Sequence, residues 1–123
     1  MQVFANIVVA AVALLHIYIL VLEMFLWTQP QGRRAFGMTQ EFAQQTKVLA
    51  ANQGLYNGFL AAGLMTGLLL GDQGQLFKIF FLVCIMVAGA YGALTASKKI
   101  FFIQTVPAAL ALGAVLMARQ AGS

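Results

Sequence analysis

Long apolar segments are the feature that most constrains this chain. A membrane-spanning helix needs about 20 mostly apolar residues, and four segments reach that length. Since 62% of the 123 residues are hydrophobic, a soluble domain of this size has too little interior to bury them. We therefore predict an all-α integral membrane protein, a four-helix bundle forming one domain over residues 1–123. The predicted helices cover about 3–27, 48–70, 76–96 and 100–118.

The connection between the first two helices leaves two possibilities open. Good helix-forming residues follow Thr39, which suits an N-cap. The second helix could begin near Gln40 and project from the membrane before entering it. Alternatively, this segment forms a short separate helix on the lipid headgroups.

Lysine and arginine in the connections predict the orientation, because cytoplasmic loops are enriched in them. The first and third connections contain Arg33, Arg34, Lys47, Lys98 and Lys99. The opposite side contains only Lys78 and Arg119. We expect both termini outside and a multi-pass protein in the cell inner (plasma) membrane. The cations do not cluster into the basic patch of a nucleic-acid-binding protein.

The first predicted span contains two ionisable residues, Glu23 and His16. Glu23 lies about one turn from the cytoplasmic end, and His16 lies two turns deeper. Seven residues place both on one face, about 10 Å apart along the axis. An ionisable residue inside a membrane is a functional candidate by default, so we assign both to a candidate catalytic site. The alternative is that they hydrogen-bond across helices for structural reasons.

Further polar residues are predicted at the same depth on the other three helices. The candidate ligand-binding residues are Asn52, Gln53, Tyr56, Asn57, Tyr91 and Gln104. The four on the second helix cover less than half its circumference, which favours convergent groups in an apolar site. Interhelical hydrogen bonding is the structural alternative. The outer half offers little beyond Asn6 and Thr66.

Metal binding and close helix contacts can be judged from the same segments. One histidine and one cysteine, Cys84, cannot form a conventional metal site, and no cofactor is identified. Glycine pairs such as Gly54 and Gly58 allow helices to approach closely. Gly/Ala faces of this kind also predict contacts in a homo-oligomer, with membrane lipids as the other partners.

Four motifs resemble one small bacterial membrane family, the domain of unknown function numbered thirteen hundred and four. They are "HIYILVLEMFLW", "NQGLYNGFLAAGL", "YGALT" and "FIQTVPAALAL". The resemblance covers nearly the whole chain and implies a four-helix membrane protein without an established activity.

The topology also resembles the membrane-associated eicosanoid and glutathione metabolism superfamily, whose proteins have four helices and are commonly trimeric. The resemblance carries over Asn52 alone. Ala51 and Leu55 stand where that superfamily has a basic residue and a glutamate, which leaves glutathione binding open.

Three functions remain possible from the sequence. The first is a polar intramembrane site in the cytoplasmic half that binds or acts on a lipid or small amphiphile. The second is a small proton-coupled transporter or channel. The third is a membrane assembly or regulatory protein without chemistry. We rank the first highest, because a permeation path needs polar groups on both sides of the midplane. The sequence leaves open whether the protein is an enzyme and which substrate it takes.

Overall fold

The computed structural model describes residues 1–122, which form five helices and no β-strand. Helix α5 is continuous but includes a π-helical turn. The bounds are α1 Gln2–Met24, α2 Pro30–Phe36, α3 Gln40–Leu69, α4 Gln75–Thr95, and α5 with its parts Lys98–Ile100, Phe101–Thr105 and Val106–Gly122. The all-α prediction is confirmed, and the count of four helices is wrong.

The additional helix is α2, which lies in the connection that the sequence presented as a break. Pro30 is its first residue, where a missing N–H costs nothing and the fixed φ suits a helix. Gly37 ends it with a φ of 64°, and its N–H donates to the Arg33 carbonyl. This left-handed cap favours glycine. A proline and a glycine thus start and end a helix here.

Three segments are long and apolar enough to cross a membrane: Gln2–Met24, Gly71–Thr95 and Lys98–Ala121. The prediction of four such segments is corrected on this point. Helix α3 has 30 residues, about 45 Å, but its amide side chains lower its hydropathy. It begins at Gln40, where the Phe42 N–H donates to Thr39 Oγ1 at 3.2 Å.

The described chain divides into two compact units. The middle unit is Leu14–Ala61, and the terminal unit is Met1–Ala13 together with the described residues from Ala62 onward. Helices α1 and α3 each contribute to both. The single-domain organisation over residues 1–123 stays a prediction.

The middle unit is organised by small residues at the contacts between α1, α2 and α3. A Cβ at Gly32 would overlap the backbone carbonyl of Leu26, so α2 packs directly on the chain that follows α1. The Trp27 indole Nε1 donates to Thr46 Oγ1 at 2.9 Å. Its ring also lies 4.8 Å from that of Phe36. These contacts join α2 and the start of α3 to the end of α1.

The terminal unit contains the end of α3, a 3₁₀ turn at Gly71–Gly74, α4 and α5. Leu82 and Ile85 of α4 are fully buried. Where α4 meets α5, Gly89 lies against Thr105, whose Oγ1 donates to the Met86 carbonyl at 2.9 Å. The π-helical turn ends just before Pro107, which cannot supply the N–H that a regular α-helical turn requires.

Candidate functional site

Glycine residues of α3 bring it close to the end of α1 in the middle unit. A Cβ on Gly54 would lie 3.1 Å from Glu23 Cβ and 2.6 Å from Met24 Cγ. One turn later, a Cβ on Gly58 would lie 2.7 Å from Leu20 Cδ1. Because both glycines lie on the face toward α1, the neighbouring residue Asn57 also reaches that helix.

The centre of this contact is a hydrogen bond between Glu23 and Asn57. Asn57 Nδ2 donates to Glu23 Oε1 at 2.6 Å and to the Gln53 carbonyl at 3.3 Å. Glu23 is 8% exposed, and Asn57 is also buried. A carboxyl group has about four lone-pair positions, so one amide leaves capacity for a further donor. The predicted association of Glu23 with an amide of the second long helix is therefore present.

His16 lies deeper on the same face of α1. Its side chain is 0% exposed, and the seven-residue spacing places it about 10 Å from Glu23 along the helix axis. Imidazole and carboxyl are the two side-chain groups most often used for proton transfer. The buried face of α1 in the middle unit thus presents two such groups at successive depths.

The four predicted polar residues of α3 do not all face α1. Asn57 is buried, whereas Asn52, Gln53 and Tyr56 are exposed. Asn52 Nδ2 donates to Tyr56 Oη at 3.4 Å on this outer face. Each residue advances about 100° around a helix. Four residues on one side of α3 can therefore point in different enough directions that only one of them reaches α1. Of the four, Asn57 alone contacts Glu23 in the described residues.

Tyr91 and Gln104 belong to the terminal unit. Tyr91 is 69% exposed, and Gln104 is partly buried. Their participation in a site with Glu23 stays a prediction.

A second buried ionisable residue, Lys78, was misassigned by the sequence argument. We had counted it among the connection charges of the outer side, but it lies inside α4 and is 1% exposed. Its Nζ donates to Asn6 Oδ1 at 2.9 Å. Asn6 is one of the few polar residues noted in the outer half, and its pairing with Lys78 was not predicted. The signal was a lysine one turn into the apolar run "QLFKIFFLV".

Glycine again makes room for the buried polar group. A Cβ on Gly67 would lie 2.8 Å from Lys78 Cγ. A Cβ on Gly74 would overlap the Gly67 backbone, so the end of α3 and the turn before α4 are in direct backbone contact. The aliphatic stem of Lys78 packs on this contact and its ammonium extends to α1.

No group of three His, Cys, Asp or Glu side chains within residues 1–122 is arranged to hold a metal ion. Cys84 is partly buried and is not in a disulfide. The Glu23 site presents a carboxyl and an amide, and the His16 imidazole lies two turns away on the same helix.

These features define the class of protein. Three long apolar helices, large apolar side chains exposed along them, and ionisable groups buried inside are the properties of an integral membrane protein. Residues 10–116 match the model of a family described as "Protein of unknown function (DUF1304)". The match covers most of the chain, which belongs to this family.

One known protein is similar to this chain over most of its length. The chain is 36% identical over 104 residues to the "Uncharacterized protein YpaA" of Lactococcus lactis subsp. lactis (strain IL1403). The alignment covers 82% of this chain and 87% of the relative. No solved structure matches.

These matches correct the second of the two family resemblances drawn from the sequence. The family that they support is DUF1304, and the resemblance to the eicosanoid and glutathione metabolism superfamily is withdrawn. The count of four helices that both resemblances implied is replaced by five in the described residues.

Proposed function

We propose that this protein forms a polar site inside the cytoplasmic half of the membrane, which binds or acts on a lipid or small amphiphile. The observation that carries the proposal is the buried Glu23–Asn57 hydrogen bond. Hydrocarbon makes an ionisable group costly, so one that stays there is a functional candidate. His16, buried on the same face, adds a second proton-transfer group.

The orientation in this proposal has both termini outside, in the inner membrane of the cell. The burial of Lys78 removes it from the outer loops, which leaves Arg119 as the basic residue on that side. The first connection, with Arg33 and Arg34, and the third connection, with Lys98 and Lys99, are separated by α3 and α4. They lie on the same side of the membrane only if α3 crosses it as well as α4. The 30 residues of α3 are long enough to do so.

The residue roles follow from burial and bonding. Glu23 acts as the acid-base group, His16 assists it, and Asn57 orients the carboxyl. Asn52, Gln53 and Tyr56 are proposed to contact the ligand, whereas roles for Tyr91 and Gln104, which belong to the terminal unit, stay predictions. Because the first three are exposed on a helix and unsatisfied polar groups are costly in lipid, a second copy of the chain would cover them. This supports a homo-oligomer.

A proton-coupled transporter is the second candidate, favoured by the Lys78–Asn6 pair. A permeation path needs polar groups on both sides of the midplane, and this pair supplies one that the sequence argument lacked. We rank it second because Lys78 is closely packed by Gly67 and held by Asn6.

Native mass spectrometry of the purified protein, with co-purified lipids and metabolites retained, tests the proposal. We expect a specific bound molecule in the native protein that is lost in Glu23→Gln and weakened in Asn57→Ala and Asn52→Ala. Glu41→Gln is the matched control, since Glu41 is an exposed acid of α3. It should retain the molecule.

The remaining outcomes separate the candidate functions. Proton flux into liposomes that disappears in Glu23→Gln, without a retained molecule, would establish the transporter instead. If neither binding nor flux is found, and Glu23→Gln only lowers stability, the pair fixes helix packing and the proposed site is wrong.

A further inference from the structure

A polar cleft lies at one end of the terminal unit. Its volume is about 630 Å³, within the range of small-molecule sites. The start of α1, the turn before α4 and the end of α5 form its walls. The lining residues are Gln2, Asp72, Gln75, Leu116, Ala118, Arg119 and Gln120.

Two opposite charges share this cleft. Asp72 stands in the 3₁₀ turn, directly after Gly71, whose φ of 61° makes the chain reverse direction. Arg119 lies near the end of α5. The Asp72 side chain is exposed, so its carboxylate oxygens are accessible to a ligand in the cleft.

Gln75 supplies an independent indication of a ligand. It lines the cleft, and its Oε1 is fully shielded and accepts no hydrogen bond from residues 1–122. A buried acceptor without a donor costs about 1–3 kcal/mol, so rotation of the Gln75 side chain toward the cleft, where Oε1 accepts from a bound N–H group, would be stabilising. Gln75 follows Asp72 by three residues, which places two acceptors at the same wall.

We propose that this cleft binds a zwitterionic group that carries a phosphate and a primary ammonium. The ammonium lies between Asp72 and Gln75 Oε1, and the phosphate pairs with the Arg119 guanidinium. A simple anion would leave Asp72 and Gln75 without donors, and a simple cation would leave Arg119 without an acceptor. A phosphoethanolamine lipid headgroup and free phosphoethanolamine both have this chemistry.

Lipid binding to the purified full-length protein in detergent, followed by native mass spectrometry, tests the proposal. Phosphatidylethanolamine, phosphatidylglycerol and phosphatidylcholine are compared at equal concentration. We expect the ethanolamine lipid to bind most tightly, since phosphatidylglycerol has no ammonium and the trimethylammonium of phosphatidylcholine has no N–H to donate. Competition by free O-phosphoethanolamine would identify the soluble source, and its failure to compete would identify the lipid.

Charge variants give a pattern that non-specific adsorption would not produce. Arg119→Gln should weaken all three lipids about tenfold, the effect of losing one charged contact. Asp72→Asn should abolish the preference for ethanolamine over glycerol. Lys98→Gln, which removes an exposed cation of the same unit outside the cleft, should change neither.

Gln75→Leu decides where the ammonium lies. Weaker binding of the ethanolamine lipid supports the assignment, whereas unchanged binding with higher stability overturns it. Equal affinity for phosphatidylglycerol and phosphatidylethanolamine in the native protein would overturn the whole proposal. The test is independent of the Glu23 site, whose residues do not line this cleft.

Discussion

The two units bury ionisable residues of opposite sign and use the same partner, an asparagine. In the middle unit, the Asn57 amide donates to the Glu23 carboxyl at 2.6 Å. In the terminal unit, the Asn6 carbonyl oxygen accepts from the Lys78 ammonium at 2.9 Å. An amide serves both because it is donor and acceptor at once. Apolar helices can therefore hold an acidic or a basic side chain with an uncharged neighbour.

A glycine packs beside the Glu23–Asn57 pair and another beside the Lys78–Asn6 pair, and the two glycines face different kinds of atoms. An added Cβ on Gly54 would meet mainly the side chains of Met24 and Glu23, with the Leu20 carbonyl oxygen 3.2 Å away, whereas one on Gly74 would overlap the backbone of Gly67. A side chain can move aside and a packed backbone cannot. The contact around Lys78 should consequently tolerate less change than the contact around Glu23.

The largest expected effect comes from adding a methyl group at these glycines. Gly74→Ala should lower the free energy of unfolding by about 3 kcal/mol, and Gly54→Ala by about 1 kcal/mol. Reversible unfolding in mixed detergent micelles measures both. Gly113→Ala is the control, since nothing lies within 4 Å of its added Cβ, and it should be neutral or stabilising. Equal losses at Gly74 and Gly54 would contradict the distinction.

Removing the asparagine partner should have the next largest effect. Asn6→Leu should destabilise by about 3 kcal/mol and Asn57→Leu by about 2 kcal/mol, because Lys78 is the more completely buried ion. The same unfolding assay applies.

A double variant isolates the cause of that loss. Adding Lys78→Met to Asn6→Leu should recover most of the stability, because no buried charge remains to be left unpaired. No recovery in the double variant would mean that Asn6 acts through packing and not through its hydrogen bond to Lys78.

The smallest expected effect concerns hydroxyl groups, one in each unit. Thr46→Val removes the acceptor of the Trp27 indole and should cost about 1 kcal/mol. Thr66→Val removes a bond to the Ala62 carbonyl of its own helix and should cost less than about 0.5 kcal/mol. Trp27 is the single tryptophan, so its emission reports unfolding of the middle unit. A larger loss at Thr66 would reverse the expected order.

Part of the Glu23 site could be predicted because both determinants are local. The seven-residue spacing of His16 and Glu23 fixes a common face on any helix, and Asn57 adjoins a Gly54–Gly58 pair that implies close packing. The outward direction of Asn52 and Tyr56 could not be predicted. That direction depends on how α3 is rotated about its own axis relative to α1. The spacing of polar residues does not determine this rotation, because amide side chains occupy most of one turn of α3.

Other predictions were wrong because proline and glycine were interpreted only as breaks between helices. Pro30 and Gly37 delimit α2, although proline and glycine also mark the start and end of a helix. Lys78 follows the Gly71–Gly74 turn so closely that it was counted among the charges of the outer side. Its burial depends on Asn6, which is 72 residues away in the chain and cannot be paired with it by local pattern.

The backbone contact of Gly67 with Gly74 has a consequence for insertion into the bilayer. Helix α3 is not apolar enough to partition by itself, but the four-residue turn at Gly71–Gly74 joins it closely to α4. In the proposed topology, in which α3 also crosses the membrane, we expect the translocation machinery to insert α3 and α4 as one hairpin, with the apolar side chains of α4 offsetting the amides of α3. If that turn is lengthened with a flexible linker, we expect α3 to fail to insert into the bilayer during synthesis.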